Sequence, residues 1–136
     1  MFLPYRLKTQ MRTEYLVKQQ EKPVFRLQPD LVILDDTLPV SVLDTKWKLI
    51  DGSMDDSSRK YGLSQSDFYQ LFAYGEKYLK GNGELFLIYP RHTLFPEPIS
   101  DFTFTDDLKL WAVPFDMQTD QIRWPADCTH PVRNKD

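Results

Sequence analysis

Leu27-Gln28-Pro29-Asp30-Leu31-Val32-Ile33-Leu34 and, after a short polar turn, Val40-Ser41-Val42-Leu43-Asp44-Thr45-Lys46-Trp47-Lys48 read as two antiparallel strands. Apolar, β-branched runs broken at Asp35-Asp36-Thr37 give the hairpin signal. Side chains two apart on a strand share a face, so Asp44 and Lys46 point the same way. If the turn is Asp36-Thr37-Leu38, with Asp35 paired to Pro39, Asp30 stands across from Asp44, with Cβ atoms about 4.5–5.5 Å apart. A register two residues tighter makes the pair diagonal and still within reach.

Two carboxylates side by side on a sheet repel, and a cation relieves them. Mg²⁺ suits the pair, because it takes oxygen ligands at about 2.0–2.1 Å, commonly one or two carboxylates with water and substrate phosphate completing the shell. Lys46, one pleat along, can then hold the attacking water or steady charge developing on phosphorus. The same residues also fit a plainer account, since Asp-x-Lys on a strand is often a solvated ion pair and Pro-Asp a turn dipeptide. On these residues alone both readings stay open.

The 136 residues suit one domain with a proper core. Hydrophobic content of 41% and aromatic content of 14% point to a globular protein, and no apolar run approaches the roughly 20 residues of a membrane span. No secretory signal is recognisable, and Cys128 has no second cysteine to pair with, so cytoplasm is the expected compartment. The net charge of −3 does not advertise nucleic-acid binding. It is unevenly spread, however: residues 1–30 hold Arg6, Lys8, Arg12, Lys18, Lys22 and Arg26 against Glu14, Glu21 and Asp30, whereas acidic residues dominate from Glu97 onward. Any DNA contact is therefore expected from the first two-thirds, because neutralising phosphates takes local Lys and Arg. A solvated surface of mixed charge gives the same counts.

Residues 1–10 show no clear period. Met11 to Gln19 reads as a strand that turns at Glu21-Lys22-Pro23 into Val24-Phe25-Arg26-Leu27 and on to Asp30, a three-strand meander. Ser53 to Ser58 is a polar loop placed where an active-site loop could lie. Ser64 to Lys80 reads as the main helix: Ser64 with Asp67 resembles a capping box, and Gly81 and Gly83 suit its end. Phe68, Leu71, Phe72, Gly75, Tyr78 and Leu79 form the stripe expected to pack on the sheet, with Gly75 marking close backbone approach. Gln70 and Tyr74 stand one turn apart on a different face, near Lys77. Glu84 to Pro90 fits a strand buried on both faces after a crossover helix. Arg91 to Ser100 reads as a loop, Phe102–Thr105 and Leu108–Phe115 as strands, and Gln121–Trp124 as a short edge. The tail from Pro125 has no period, and no internal repeat or phosphate-cradling Gly-rich loop is present. The fold class is thus α/β: a mixed central sheet, holding strands from Met11, Val24, Val40 and Glu84, with one main helix over residues 64–80 packed on it and further C-terminal strands.

As an ordered set, Pro29-Asp30, Asp44-Thr45-Lys46-Trp47-Lys48, Asp67-Phe68-Tyr69-Gln70-Leu71-Phe72-Ala73-Tyr74 and Leu87-Ile88-Tyr89-Pro90 resemble the C-terminal nuclease domain of the McrC family, the cleavage subunits of methylcytosine-specific restriction systems within the PD-(D/E)xK nuclease superfamily. The resemblance runs from about Met11 to Pro90 and implies a restriction-endonuclease-like fold and hydrolysis of DNA phosphodiesters. It implies Asp30 and Asp44 as Mg²⁺ ligands, joined by the backbone carbonyl of Thr45, with Mn²⁺ as a substitute. It further implies Lys46 as the catalytic lysine, with Gln70 and Tyr74 matching a Gln-x-x-x-Tyr element beside the metal site or the DNA. Lys48, Arg26 and Lys77 are the nucleic-acid contacts expected around these. The family often carries a basic residue where Gln28 stands, and the superfamily core usually begins with a helix, whereas this chain begins almost at the first strand. The expectation is one nuclease-like domain over residues 1–136, with truncation at its N-terminus as one reading. A GTP-driven motor subunit of the McrB type is the partner the resemblance implies, although the region that usually docks it is not recognisable. A homodimer is the other assembly to consider. His92 and His130 match no motif.

Three readings follow. The first is a Mg²⁺-dependent DNA endonuclease. The second is a catalytically silent DNA-binding or partner-assembly module that keeps the fold. The third is a structural domain whose Asp-x-Lys is only a salt bridge.

Overall fold

The computed structural model describes residues 5–54, 60–126 and 128. Its nine strands are β1 (Tyr5–Thr9), β2 (Glu14–Gln19), β3 (Lys22–Leu27), β4 (Leu31–Asp35), β5 (Leu38–Thr45), β6 (Gly83–Pro90), β7 (Ile99–Thr105), β8 (Leu108–Asp116) and β9 (Gln121–Ile122), with helix α1 (Gln65–Tyr78) between β5 and β6. Seven strands form one sheet, ordered β1-β4-β5-β6-β8-β7 with β9 on β8. β4 runs antiparallel to β5, whereas β5, β6 and β8 are parallel. This is the expected α/β architecture with a mixed sheet and a crossover helix.

The hairpin reaches the expected pairing by a different route. Asp35 pairs with Leu38 and Leu34 with Pro39, so the turn is the two residues Asp36-Thr37, and a bulge between Ile33 and Leu34 then restores Ile33 to Ser41 and Leu31 to Leu43. Asp36 takes a left-handed φ of 58°, which Asp tolerates better than most side chains. Pro39 has no N–H to give the ladder, and a bulge beside it absorbs the mismatch.

Two expectations for the first thirty residues are corrected. Residues 5–9, which show no period, form β1 and pair with β4 along its whole length. The strands from Met11 and Val24 do not enter the central sheet; β2 and β3 pair only with each other. Their exposed Leu16, Val17 and Phe25 explain the outcome: a strand that buries neither face has no claim on a central position. The base of this hairpin is fixed to α1 by Tyr78, whose hydroxyl accepts from the Glu14 N–H at 3.4 Å and lies 2.6 Å from the Leu27 carbonyl and 3.1 Å from that of Met11.

Each face of the sheet buries its own cluster. On the helix face Val32, Val42, Leu85, Leu87, Leu108 and Leu110 pack under Leu71, Tyr74 and Tyr78 of α1. On the other face Ile33, Leu43, Phe86, Ile88, Trp111 and Val113 pack together, with Trp124 edge-on to Phe86 at 5.3 Å. A Cβ on Gly75 would stand 2.6 Å from Leu108 Cδ2, so what approaches this glycine closely is the Leu108 side chain and not the backbone expected there. The stripe itself is shifted: Tyr74 is buried, while Phe72 is 39% exposed and leans on Phe104 of β7. Residues 71, 74, 75 and 78 share the face turned to the sheet at helical spacing, which leaves Phe72 at its margin.

Candidate functional site

The pleat of β5 builds the site. Val42 buries on the helix face and Leu43 on the other, so Asp44 and Lys46 follow Val42 towards α1. Asp44 is 5% exposed and, with Ser41, is one of two buried polar side chains among the described residues. Asp30 stands one residue before β4, next to Asp44 across the pair. Its backbone N–H donates to Asp44 Oδ1 at 3.1 Å, and its own Oδ2 accepts from the N–H and the hydroxyl of Thr45, both at 2.8 Å. Each carboxylate therefore fixes the backbone that carries the other. Gln10 Nε2 donates to Asp30 Oδ1 at 3.3 Å, and the Gln28 amide donates to Gln10.

Lys46 closes the site from β5 to the helix. Its backbone N–H donates to the Ile88 carbonyl at 2.9 Å. Its Nζ lies 2.9 Å from Asp44 Oδ2, donates to Gln70 Oε1 at 2.6 Å, and lies 3.7 Å from Asp67 Oδ1. Gln70 and Asp67 share the first two turns of α1, which starts at the Ser64 cap and so faces the end of β5.

Electrostatics separate the two aspartates. Burial raises the Asp30 carboxyl, but the hydrogen bonds from Thr45 and Gln10 outweigh it and hold the group below the usual carboxylate value. Burial dominates at Asp44, which stays above that value despite the Lys46 ammonium and the Asp30 N–H, with the Asp30 charge adding to the rise. Tyr74 is buried, and its phenol is raised first by burial and then by the charges of Asp44 and Asp30, with a hydrogen bond to Gln70 opposing. It remains a neutral hydroxyl beside the acidic pair. Tyr89 is fully buried and its hydroxyl has no hydrogen-bond partner among the described residues; burial raises it, followed by the charges of Asp67 and Asp44.

The structure thus brings Asp30, Asp44, Thr45, Lys46, Gln70 and Tyr74 together. Tyr74 arrives on the buried face, not on the separate polar face expected for it. The other three expected residues are not drawn in: Arg26 donates to the Arg12 carbonyl at 3.3 Å on the β2–β3 hairpin, Lys77 lies in the last turn of α1, and no described hydrogen bond or ion pair ties Lys48 to the site. The Ser53–Ser58 loop falls mostly outside the described residues. Asp67 was legible as a helix cap but belongs to this site, and its spacing to Gln70 and Tyr74 (i, i+3, i+7) was the available signal. Tyr89 carried no signal, because an apolar strand hides which tyrosine faces polar company.

Among the described residues no three His, Cys, Asp or Glu side chains cluster as metal ligands. The donor set fits a hard cation. Two adjacent carboxylates are present, and the N–H and C=O of a strand residue point to the same edge, so the carbonyl of Thr45 shares the side on which its N–H meets Asp30.

The family model described as McrBC 5-methylcytosine restriction system component matches residues 3–90, a stretch that holds every residue of this site. Among solved structures the chain is similar to a chain of the refined half-complex from the tetradecameric assembly of Thermococcus gammatolerans McrB AAA+ hexamers with bound McrC. The TM-score is 0.57 at 19% identity, covering 91% of this chain and 26% of that one. At that identity the likeness shows the fold, and this chain spans about a quarter of the length of the other. No curated protein matches.

Proposed function

Because the chain belongs to the McrBC 5-methylcytosine restriction system component family, we propose that it is the cleavage module of such a system, a metal-dependent endonuclease of the PD-(D/E)xK type that hydrolyses phosphodiester bonds in DNA. The observation that carries this reading is the convergence of Asp30, Asp44 and Lys46 at the end of β5, with Asp44 5% exposed and 2.9 Å from the lysine. Burying a carboxylate costs stability unless something compensates, and a sheet end that serves only structure has no need of one.

In this reading Asp30, Asp44 and the Thr45 carbonyl would hold Mg²⁺, with Mn²⁺ able to replace it. Such an ion, when bound, supplies Lewis-acid neutralisation of charge on the phosphate. The chain's own residues do the rest. Asp30 remains ionised at neutral pH because Thr45 and Gln10 hold its charged form. Lys46 presents its remaining N–H donor to a phosphate oxygen, while the oxygen of the attacking water forms the new bond to phosphorus as the bridging P–O bond breaks, the departing oxygen leaving with that electron pair and taking up a proton released by the water. Gln70 fixes the direction of the Lys46 ammonium, and Tyr74 excludes water beneath the acidic pair. Contacts to DNA fall to Lys48, Arg26 and Lys77, outside this inner set. A motor subunit of the McrB type is the partner we infer from the family, with a homodimer as the alternative assembly.

A second reading, a catalytically silent assembly module, is favoured by one observation. Lys46 already neutralises Asp44 and also faces the Asp67 carboxylate at 3.7 Å, so the site is electrostatically satisfied as it stands. Incubating plasmid DNA with the chain in Mg²⁺, Mn²⁺ or EDTA separates the two. Nicking with either metal and none in EDTA supports the nuclease, and no nicking with either metal supports the silent module.

A further inference from the structure

Lys46 is held from both sides. Asp44 meets its ammonium from the strand, and Gln70 and Asp67 meet it from the helix. Asp67 occupies the third position of α1, where a carboxylate ordinarily serves the helix's own N-terminal N–H groups. The Ser64 hydroxyl takes that duty by accepting from the Ser66 N–H at 3.2 Å. Asp67 is turned instead to Lys46, at 3.7 Å with its side chain 18% exposed. At that distance the contact is electrostatic and not a hydrogen bond. An ammonium has three donors; the two short contacts, to Asp44 and Gln70, use two of them.

A second observation points to the same place. Tyr89 is fully buried on β6, and its hydroxyl is unpaired among the described residues. A buried hydroxyl without a partner costs stability, and a phenylalanine would fill the same space without that cost. Tyr89 belongs to the helix-face cluster with Leu71 and Tyr74 and follows Ile88, the partner of Thr45 across β5 and β6, so it stands at the sheet end that carries Lys46.

We propose that Asp67 is a positioning residue for Lys46: it holds the ammonium against α1 with one N–H left for an oxygen of the scissile phosphate, and the Tyr89 hydroxyl supplies the replacement donor to the acidic groups when Lys46 turns to that oxygen. This rests on the nuclease reading. Asp67 touches neither the phosphate nor a metal in this scheme, so its loss acts on turnover and not on affinity.

The test compares the full wild-type chain with Asp67→Asn, Asp67→Glu and Tyr89→Phe, in plasmid cleavage kinetics, Mn²⁺ calorimetry and thermal melting. Asp67→Asn is expected to lower kcat by about tenfold while KM for DNA and Mn²⁺ affinity stay within about twofold, the pattern of an interaction used only in the transition state. Asp67→Glu should recover at least about a third of wild-type turnover, since the longer carboxylate still reaches Lys46. Tyr89→Phe should melt at or above the wild-type temperature and still turn over more slowly. Wild-type kcat in Asp67→Asn would overturn the proposal. So would a loss of Mn²⁺ affinity in that variant, which would make Asp67 a ligand, or a parallel fall in melting temperature and kcat that Glu does not restore, which would make its role structural. A wild-type chain that cuts under neither metal overturns the nuclease reading and this proposal with it, whereas a cutting wild type with an unaffected Asp67→Asn overturns this proposal alone.

Discussion

Asp44 is 5% exposed, and burial lifts its carboxyl above the usual 3.8 even with Lys46 at 2.9 Å. A raised folded value means that the contribution of this group to stability is fully present below 3.8 and lost as pH rises through the folded value. In EDTA at neutral pH, Asp44→Asn should therefore be as stable as wild type or more so, and the difference should vanish below 3.8, where the wild-type group is neutral in both states. Melting curves at the two pH values check this. Asp30 behaves oppositely. Its lowered value gives stability that is present above 3.8 and lost as pH falls through the folded value, so Asp30→Asn should destabilise at neutral pH and lose that effect in acid. Lys46→Ala leaves a buried carboxylate without its cation. It should lower metal-free stability by about 3 kcal/mol, keep Mn²⁺ binding, and slow cleavage through kcat. Asp44 and Lys46 were legible on one face because a two-residue period puts them there, and Asp30 because the hairpin register sets it across from Asp44. Asp67 was not, because its spacing from Ser64 offered a local capping role that the structure assigns to Ser64 alone.

At the scale of elements, α1 connects site and scaffold. Gln70→Ala removes the 2.6 Å acceptor of Lys46 from a half-buried position, so turnover should fall with a stability loss of only about 1 kcal/mol. Unfolding without a separate kinetic effect would instead make Gln70 a core residue. Gly75→Ala puts a Cβ 2.6 Å from the buried Leu108. Overpacking of about 1–3 kcal/mol should outweigh the roughly 1 kcal/mol gained in helix propensity, and a lower melting temperature with an unchanged helical signal would show it. Tyr78→Phe removes the hydroxyl that joins α1 to Glu14, Met11 and Leu27. Hydrogen exchange should then quicken in β2 and β3 and not in β5 or β6. The strands around α1 were readable because each has a buried face that sets its period. The first thirty residues were not: β1 is an edge strand whose Leu7 is 61% exposed, and β2 and β3 bury too little for their pattern to say which strand they would pair with.

For the whole molecule, the parallel strands β5, β6 and β8 finish at the same end of the sheet, and α1 begins beside it, so the crossover gathers the acidic residues, Lys46 and Gln70 at one place. That arrangement was legible as a set: an ordered series of short motifs defined it where no single motif did. The bulge beside Pro39 was not legible, because it compensates a tighter turn and leaves no mark on the order of the residues. A divalent ion at 100 times its Kd should raise stability by about 2.7 kcal/mol if it binds only the folded chain. The most direct measurement of the central claim is Mn²⁺ titration calorimetry on wild type and Asp44→Asn. The account predicts one binding event in wild type that is lost or weakened by at least about tenfold in the variant, and equal affinity in the two proteins would contradict it.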